Sequence, residues 1–209
     1  MENEGAPAHR RQQQRAIETR TALLDTATTA FSAKGFDGIS IRQLEELAGV
    51  KRGLVAYHFG DKDQLWRAVV DRLFGELAEE FVARIEALVD IAPEEAARGM
   101  VRAFVRYSAA HPELNRLMMQ ESMSDSWRVG YIVDQHIRPL LDNLAGIMPE
   151  AAARIWGNGD PQRYYTFIGA SAFVFTAEQE CRRLFGCSPL EHDFVERHAD
   201  FVVTLLLEH

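Results

Sequence analysis

Cysteine is nearly missing from the 209-residue chain, which has only Cys181 and Cys187. That excludes a disulfide scaffold and points to a reducing compartment. Long apolar runs are missing too: the longest stretch without charge, Tyr164 to Ala177, is 14 residues, too short to cross a bilayer. The N-terminal MENEGAPAHRRQQQR puts acid before base and has no apolar core, so no signal peptide, no membrane association and a cytoplasmic location are expected. G-x-S-x-G, GxGxxG and H-E-x-x-H are absent, and no carboxylate pair stands in a setting for acid–base work. No enzyme, catalytic residue or cofactor is therefore expected. The C-x5-C spacing lacks the tight pairs of a zinc site, so no metal ligands are assigned, although His192 and His198 lie nearby in sequence. A thiol- or metal-responsive protein using Cys181 and Cys187 stays open as an alternative, as does a helical protein-interaction module.

Against these absences stands one dense pattern, SIRQLEELAGVKRGLVAYHF at residues 40 to 59. Ser40 can accept from the Gln43 N–H while Gln43 reaches back, the reciprocal arrangement that starts a helix. Ile41, Leu44, Leu47 and Ala48 form a short apolar stripe. Gly49 stops the helix, since the left-handed C′ conformation costs glycine nothing, and Val50 plugs the turn from beneath. A second helix is expected from about Lys51 to Phe59, closed by Gly60 and Asp61. Two short helices joined by a glycine turn form a helix-turn-helix, whose second rod fits the DNA major groove.

The net charge of −8 is unevenly spread: residues 1 to 62 hold nine Lys or Arg against eight Asp or Glu (+1), and the remainder holds 14 against 23 (−9). The early cations cluster in the tail and along the turn and second helix, the footprint phosphates require. Any one of them alone reads first as a solvated helix face.

The rest of the chain shows helical periodicity and no strand pattern, which makes the fold class all-α, with about nine helices. Residues 1–15 are polar and read as a disordered basic arm. Residues 16–62 form the helix-turn-helix domain, with a first helix over about Ala16 to Lys34. Residues 63–209 form the second domain. Its fourth helix starts at an Asp61/Gln64 capping box and repeats Leu65, Val69, Leu73, Leu77 and Phe81. A fifth helix runs to Ala109 and a sixth from Pro112 to about Met123. The seventh spans Asp125 to about Ile147, capped by Ser124 and kinked before Pro139. The eighth, from Asp160-Pro161 through Phe175, is apolar on nearly every side, and the ninth follows a Ser188–Glu191 capping box to Leu207.

Residues 20 to 66 resemble the tetracycline-repressor-like (TetR) family of bacterial transcription factors. The likeness rests on Arg20, Leu23, Leu24, Ala27 and Phe31, the Lys34-Gly35-Phe36 corner, the Ala48-Gly49-Val50 turn, and Tyr57-His58-Phe59-Gly60-Asp61-Lys62 running on to Leu65. Two places depart from the family pattern: Lys51 stands where a Ser or Thr cap is common, and Leu54-Val55-Ala56 replaces a frequent Thr-Leu-Tyr. The resemblance implies a regulator that binds double-stranded operator DNA, most often a repressor released by a small molecule. Ser40 and Arg42 are expected to hold phosphate, and Lys51, Arg52, Leu54 and Val55 to read bases. Gly53 should allow close approach, and Tyr57, His58 and Lys62 match phosphate-holding positions. Tyr57 could also be a core ring with its hydroxyl outward, and His58 a cap on a carbonyl. The family further implies a homodimer through the eighth and ninth helices, and an effector pocket whose occupancy displaces the fourth helix. Phe104, Met119, Met123, Trp127, Tyr131 and Phe173 are the candidates for that pocket and suggest an apolar or aromatic effector. Plain hydrophobic core is the competing reading. Arg106, His136 and Glu178 are unresolved choices for a polar anchor.

Overall fold

The computed structural model describes residues 6–88, 90–157 and 159–208. Helix α1 (Ala6–Lys34) buries Leu23, Leu24, Ala27, Ala30 and Phe31, the face their helical spacing defines. Residues 6 to 15 are not the disordered arm expected but part of this same helix. Extending an existing helix adds one hydrogen bond per residue without a new nucleus, and the Arg and Gln of HRRQQQR are good helix formers. Residues 1–5 of the expected arm lie outside the described residues.

Helix α2 (Ile41–Leu47) starts with the expected capping box: the Gln43 N–H donates to Ser40 Oγ at 3.3 Å and the Ser40 N–H to Gln43 Oε1 at 2.9 Å. It ends with Gly49 at φ +66°, the Val50 N–H donating to the Glu45 carbonyl (3.0 Å) and the Gly49 N–H to that of Glu46 (3.1 Å). This pair of bonds is the Schellman closure. Leu47, expected in the apolar stripe, is 62% exposed, whereas Glu45 is buried. At about 100° per residue the face through Ile41, Leu44 and Ala48 passes over position 45 and leaves position 47 at its edge. Helix α3 (Leu54–Phe59) completes the motif. Helix α4 (Lys62–Leu88) follows, the Gln64 N–H donating to Asp61 Oδ1 at 2.8 Å. Leu65, Val69, Leu73, Leu77 and Phe81 are all buried along it.

Two compact units share the chain, dividing at Arg72 and Leu73 within α4, beyond the boundary expected at Lys62. The first turns of α4 belong to the first unit because Leu65, Trp66, Val69 and Val70 are buried there. Arg72 adds a tie to α1, reaching Asp25 Oδ1 at 2.5 Å and Thr28 Oγ1 at 2.6 Å.

The second unit is built around α5 (Pro93–Ala110), which packs against α6 (Pro112–Ser122), α9 (Pro149–Trp156), α10 (Pro161–Thr176) and α12 (His192–Leu207). Against α12 it runs antiparallel, and three arginines a turn apart meet acids: Arg98 with Glu208 (2.6 Å), Arg102 with Asp200 (3.0 Å) and Arg106 with Glu196 (2.5 Å). The helix expected from Asp125 to Ile147 is divided into α7 (Trp127–Ile132), a π turn (Val133–Ile137) and α8 (Arg138–Ile147). Pro139 has no N–H to offer Gln135, and the Arg138 N–H bonds back to Val133, so the strain of the proline is absorbed as a π bulge just before it. Ser124, expected to cap this helix, bonds instead to the Ser126 hydroxyl at 3.1 Å. Helix α11 (Glu178–Phe185) is an element that the periodicity does not announce. The capping box expected at Ser188 is a turn, with the Leu190 N–H on Ser188 Oγ (3.3 Å) and α12 beginning only at His192. Among the described residues there are twelve α-helical segments and no strand, and no helix is long and apolar enough to cross a membrane.

Candidate nucleic-acid interface

Helix α3 is the second rod of the helix-turn-helix, and its start differs from expectation. Gly53 stands at φ +88° as its N-cap, a left-handed conformation that interrupts any helix begun at Lys51. Lys51 and Arg52 therefore lie in the turn ahead of α3, and both are exposed. A glycine cannot cap with a side chain, and a substitute comes from α2: the buried Glu45 accepts the Val55 N–H on Oε1 at 2.9 Å. One carboxylate thus satisfies an otherwise orphaned donor at the helix start and fixes α3 relative to α2.

On α3, Val55 is fully buried, so its expected contact with a base is corrected: it is the core plug of this short rod. Leu54 is half-buried and Ala56 exposed. Tyr57 is 76% exposed, its ring edge-on to His58 at 4.8 Å, which disposes of the core alternative for this residue. His58 is half-buried, and burial, followed by the Arg20 guanidinium, holds its imidazole below the ordinary value. Arg20 also lies over the Phe59 ring at 4.9 Å. The Lys62 Nζ sits over the Phe36 ring at 4.3 Å, which holds the tip of its side chain beside the start of α4. Arg42 and Ser40 are exposed at the start of α2, but the Ser40 hydroxyl and N–H are both engaged with Gln43. Among the described residues Arg42, Lys51 and Arg52 have no acidic partner. Sequence reasoning misses the role of Glu45, and it places Arg20 in the family pattern without its contacts to His58 and Phe59. Glu45 has one available signal, a carboxylate at a position of α2 that helical spacing turns inward.

The six effector candidates do not converge. Phe104 belongs to an interior cluster with Phe81 (6.1 Å), Phe167 (4.8 Å) and, beyond Phe167, Trp156 (6.2 Å). Trp127 and Tyr131 stand edge to face at 6.4 Å, and Tyr131 meets His136, which stacks on Phe74 at 4.9 Å. Met119 receives the Thr176 hydroxyl at 3.4 Å, Met123 is 78% exposed and Phe173 54% exposed. Of the polar candidates, Arg106 is held by Glu196, Glu178 pairs with Arg182 at 3.0 Å, and only His136 joins a ring cluster. A buried pair that no sequence pattern signals, Arg128 with Glu121 at 2.8 Å, ties the start of α7 to the end of α6.

Residues 23–69 match the family described as bacterial regulatory proteins, tetR family, and residues 93–206 match the tetracyclin repressor-like C-terminal domain. The HTH-type transcriptional repressor NicS of Pseudomonas putida is 28% identical over 136 residues, 65% of this chain and 62% of that protein, so the chain spans less than two thirds of this relative. The HTH-type transcriptional regulator RutR of Escherichia coli is 29% identical over 167 residues, covering 75% of this chain and 74% of that one. Among solved structures, AibR in complex with isovaleryl coenzyme A and operator DNA superposes with a TM-score of 0.66 at 18% identity, over 90% of this chain and 98% of that chain. With the C-terminal domain match alone covering more than half of its length, and the helix-turn-helix ahead of it, this chain belongs to the TetR family of DNA-binding transcriptional regulators.

Proposed function

We propose that the turn before α3, with α3 itself, is the operator-reading surface of a repressor that acts as a homodimer and answers to a small molecule. One observation carries the reading: Lys51, Arg52 and Arg42 stand exposed with no acidic partner among the described residues, next to an open Tyr57. Cations left unneutralised inside the protein are available to phosphates and base edges. Lys51 and Arg52 reach guanine O6 and N7, and the exposed edge of Leu54 meets a thymine methyl. Gly53 sets the turn that presents them. Arg42, Tyr57, His58 and Lys62 hold phosphate, while Ser40 fixes the start of α2.

A single short recognition helix makes few base contacts, and twofold symmetry doubles them. The dimer forms through α10 and α12, supported by Tyr165 (70% exposed), Phe173 (54%), Phe201 (62%) and Leu205 (42%), large apolar side chains left open on those two helices. Phe173 thereby moves from the effector set to the dimer face. The effector is apolar or aromatic and meets the Trp127, Tyr131 and His136 rings, whose stacking on Phe74 gives it a handle on α4. AibR's complex transfers its fold at 18% identity and leaves this effector to the chain's own residues.

Selection of genomic fragments by the purified protein supplies the duplex. Reversing charge at Lys51 and Arg52 (K51E/R52E) should weaken its binding by about a hundredfold or more and relax discrimination at the base pairs they contact. Sedimentation should still show the dimer. Wild-type affinity in that variant would refute the contact assignment, and failure to retain any duplex would favour a protein-interaction module.

A further inference from the structure

The two cysteines left aside by the regulator reading lie on either side of a folded corner. Helix α11 ends at Gly186, φ +70°, whose N–H closes on the Arg182 carbonyl at 3.0 Å. The chain then doubles back: the Ser188 hydroxyl comes within 3.4 Å of Glu178 Oε1, at the opposite end of the same helix, and both Ser188 and Pro189 are buried. Folding position 188 onto position 178 carries Cys187 to the side of Cys181, one turn further along α11. Cys181 is buried and Cys187 half-buried, so a small solute meets Cys187 first. Leu184 and Phe185, which end α11 between them, are 65% and 75% exposed.

We propose that Cys181 and Cys187 are a dithiol pair that closes into an intrachain disulfide on exposure to hydrogen peroxide. The Cys187 thiolate attacks one peroxide oxygen and the O–O bond breaks. The departing hydroxide takes up the proton released from the thiol and leaves as water, with Cys187 as the sulfenic acid. The Cys181 sulfur then displaces the sulfenic hydroxyl: an S–S bond forms, the S–O bond breaks, and a second water leaves with the Cys181 proton. Two thiols give up two electrons and two protons, and one peroxide becomes two waters. The cross-link ties the middle of α11 to the segment that leads into α12. Burial, with Cys187 beside it, pushes the Cys181 thiol above its ordinary value, so closure speeds up as pH rises toward the alkaline side.

The test uses the full-length, fully reduced protein treated with hydrogen peroxide at low molar excess and analysed by intact mass. The expected product is the monomer lighter by about 2 Da, restored by dithiothreitol, with tryptic peptides containing Cys181 and Cys187 joined through sulfur. Cys187→Ser should lose that product and gain oxygen on Cys181 slowly or not at all. Because Cys181 is buried and its replacement can disturb packing, wild-type peptide mapping and Cys187→Ser together decide the outcome. An unchanged wild-type mass, sulfinic or sulfonic adducts alone, or disulfides joining two chains would each overturn the proposal.

Discussion

The two units treat their arginines in opposite ways. In the second, Arg98, Arg102 and Arg106 each face an acid on α12, Arg128 is buried against Glu121, and Arg182 pairs within its own helix. In the first, Arg72 is paired with Asp25 at 2.5 Å, yet Arg42, Lys51 and Arg52, all in the helix-turn-helix, meet no acid among the described residues. The second arrangement neutralises charge internally, which suits a body carrying most of the acid. The first leaves charge uncompensated in its helix-turn-helix, and solvated cations kept there without an internal partner are what an external polyanion requires. The difference is one of placement more than of composition, since residues 1–62 balance to only +1.

Breaking the body's pairing should have the largest effect of all. Arg128→Met leaves the Glu121 carboxylate buried, at 4% side-chain exposure, with its ion-pair partner gone, and removing one member of a buried pair costs about 3–5 kcal/mol. Urea denaturation at fixed protomer concentration reads this directly. Replacing both residues (E121L/R128M) should recover most of the loss, because the unpaired charge goes with its partner. The ladder to α12 gives the contrast: Arg106→Ala removes a pair at 45% and 35% side-chain exposure and should cost only about 0.2–1 kcal/mol. Equal losses at Arg128 and Arg106 would mean that burial does not distinguish the two pairings.

A smaller effect separates the head's scaffold from its contact surface. Glu45→Ala leaves the buried Val55 N–H without its acceptor, which costs about 1–3 kcal/mol. Native-state hydrogen exchange should show the Val55 amide losing protection ahead of those of Leu24 and Ala27 in α1. Operator affinity should fall in the same variant although Glu45 touches no DNA, and Glu45→Gln, which keeps an acceptor oxygen, should restore much of both. Unchanged exchange at Val55 would remove Glu45 from its capping role.

What can be read in the sequence follows the range of the interaction involved. Ser40 with Gln43 and Asp61 with Gln64 lie three residues apart, so these caps are encoded locally, and the bond from each third residue's N–H is present. The buried series from Leu65 to Phe81 is likewise set by period alone. The capping of Val55 by Glu45 spans a turn between two helices, and the pairing of Arg98 with Glu208 spans 110 residues, and no local pattern announces either. At Gly53 the missing side chain suggests close approach, but the left-handed φ is the decisive property, and it moves the start of α3 past Lys51 and Arg52. The effector candidates fail to converge for a related reason: which aromatic rings meet depends on tertiary register, and Phe104 and Trp127 belong to separate clusters.

A pH effect tests whether the His58 imidazole faces DNA. In the free protein, burial and the Arg20 guanidinium hold His58 below its ordinary value of 6.5. Its folded value is thus lower than its unfolded one, so its contribution to head stability is complete above about pH 6.5 and fades as pH falls through the folded value. On DNA the sign reverses. A phosphate beside the ring favours the imidazolium, the bound value exceeds the free one, and binding takes up a proton. Operator affinity should therefore rise as pH is lowered from about 7.5 to about 6, by at most tenfold per pH unit for a single proton. His58→Gln keeps a hydrogen-bond donor but cannot charge, so its affinity should be flat over the same interval. Titration calorimetry in buffers of different ionisation enthalpy counts the proton independently. If His58→Gln retains the wild-type pH slope, the proton belongs to another group, and His58 is a structural neighbour of Tyr57 and Phe59 that does not hold phosphate.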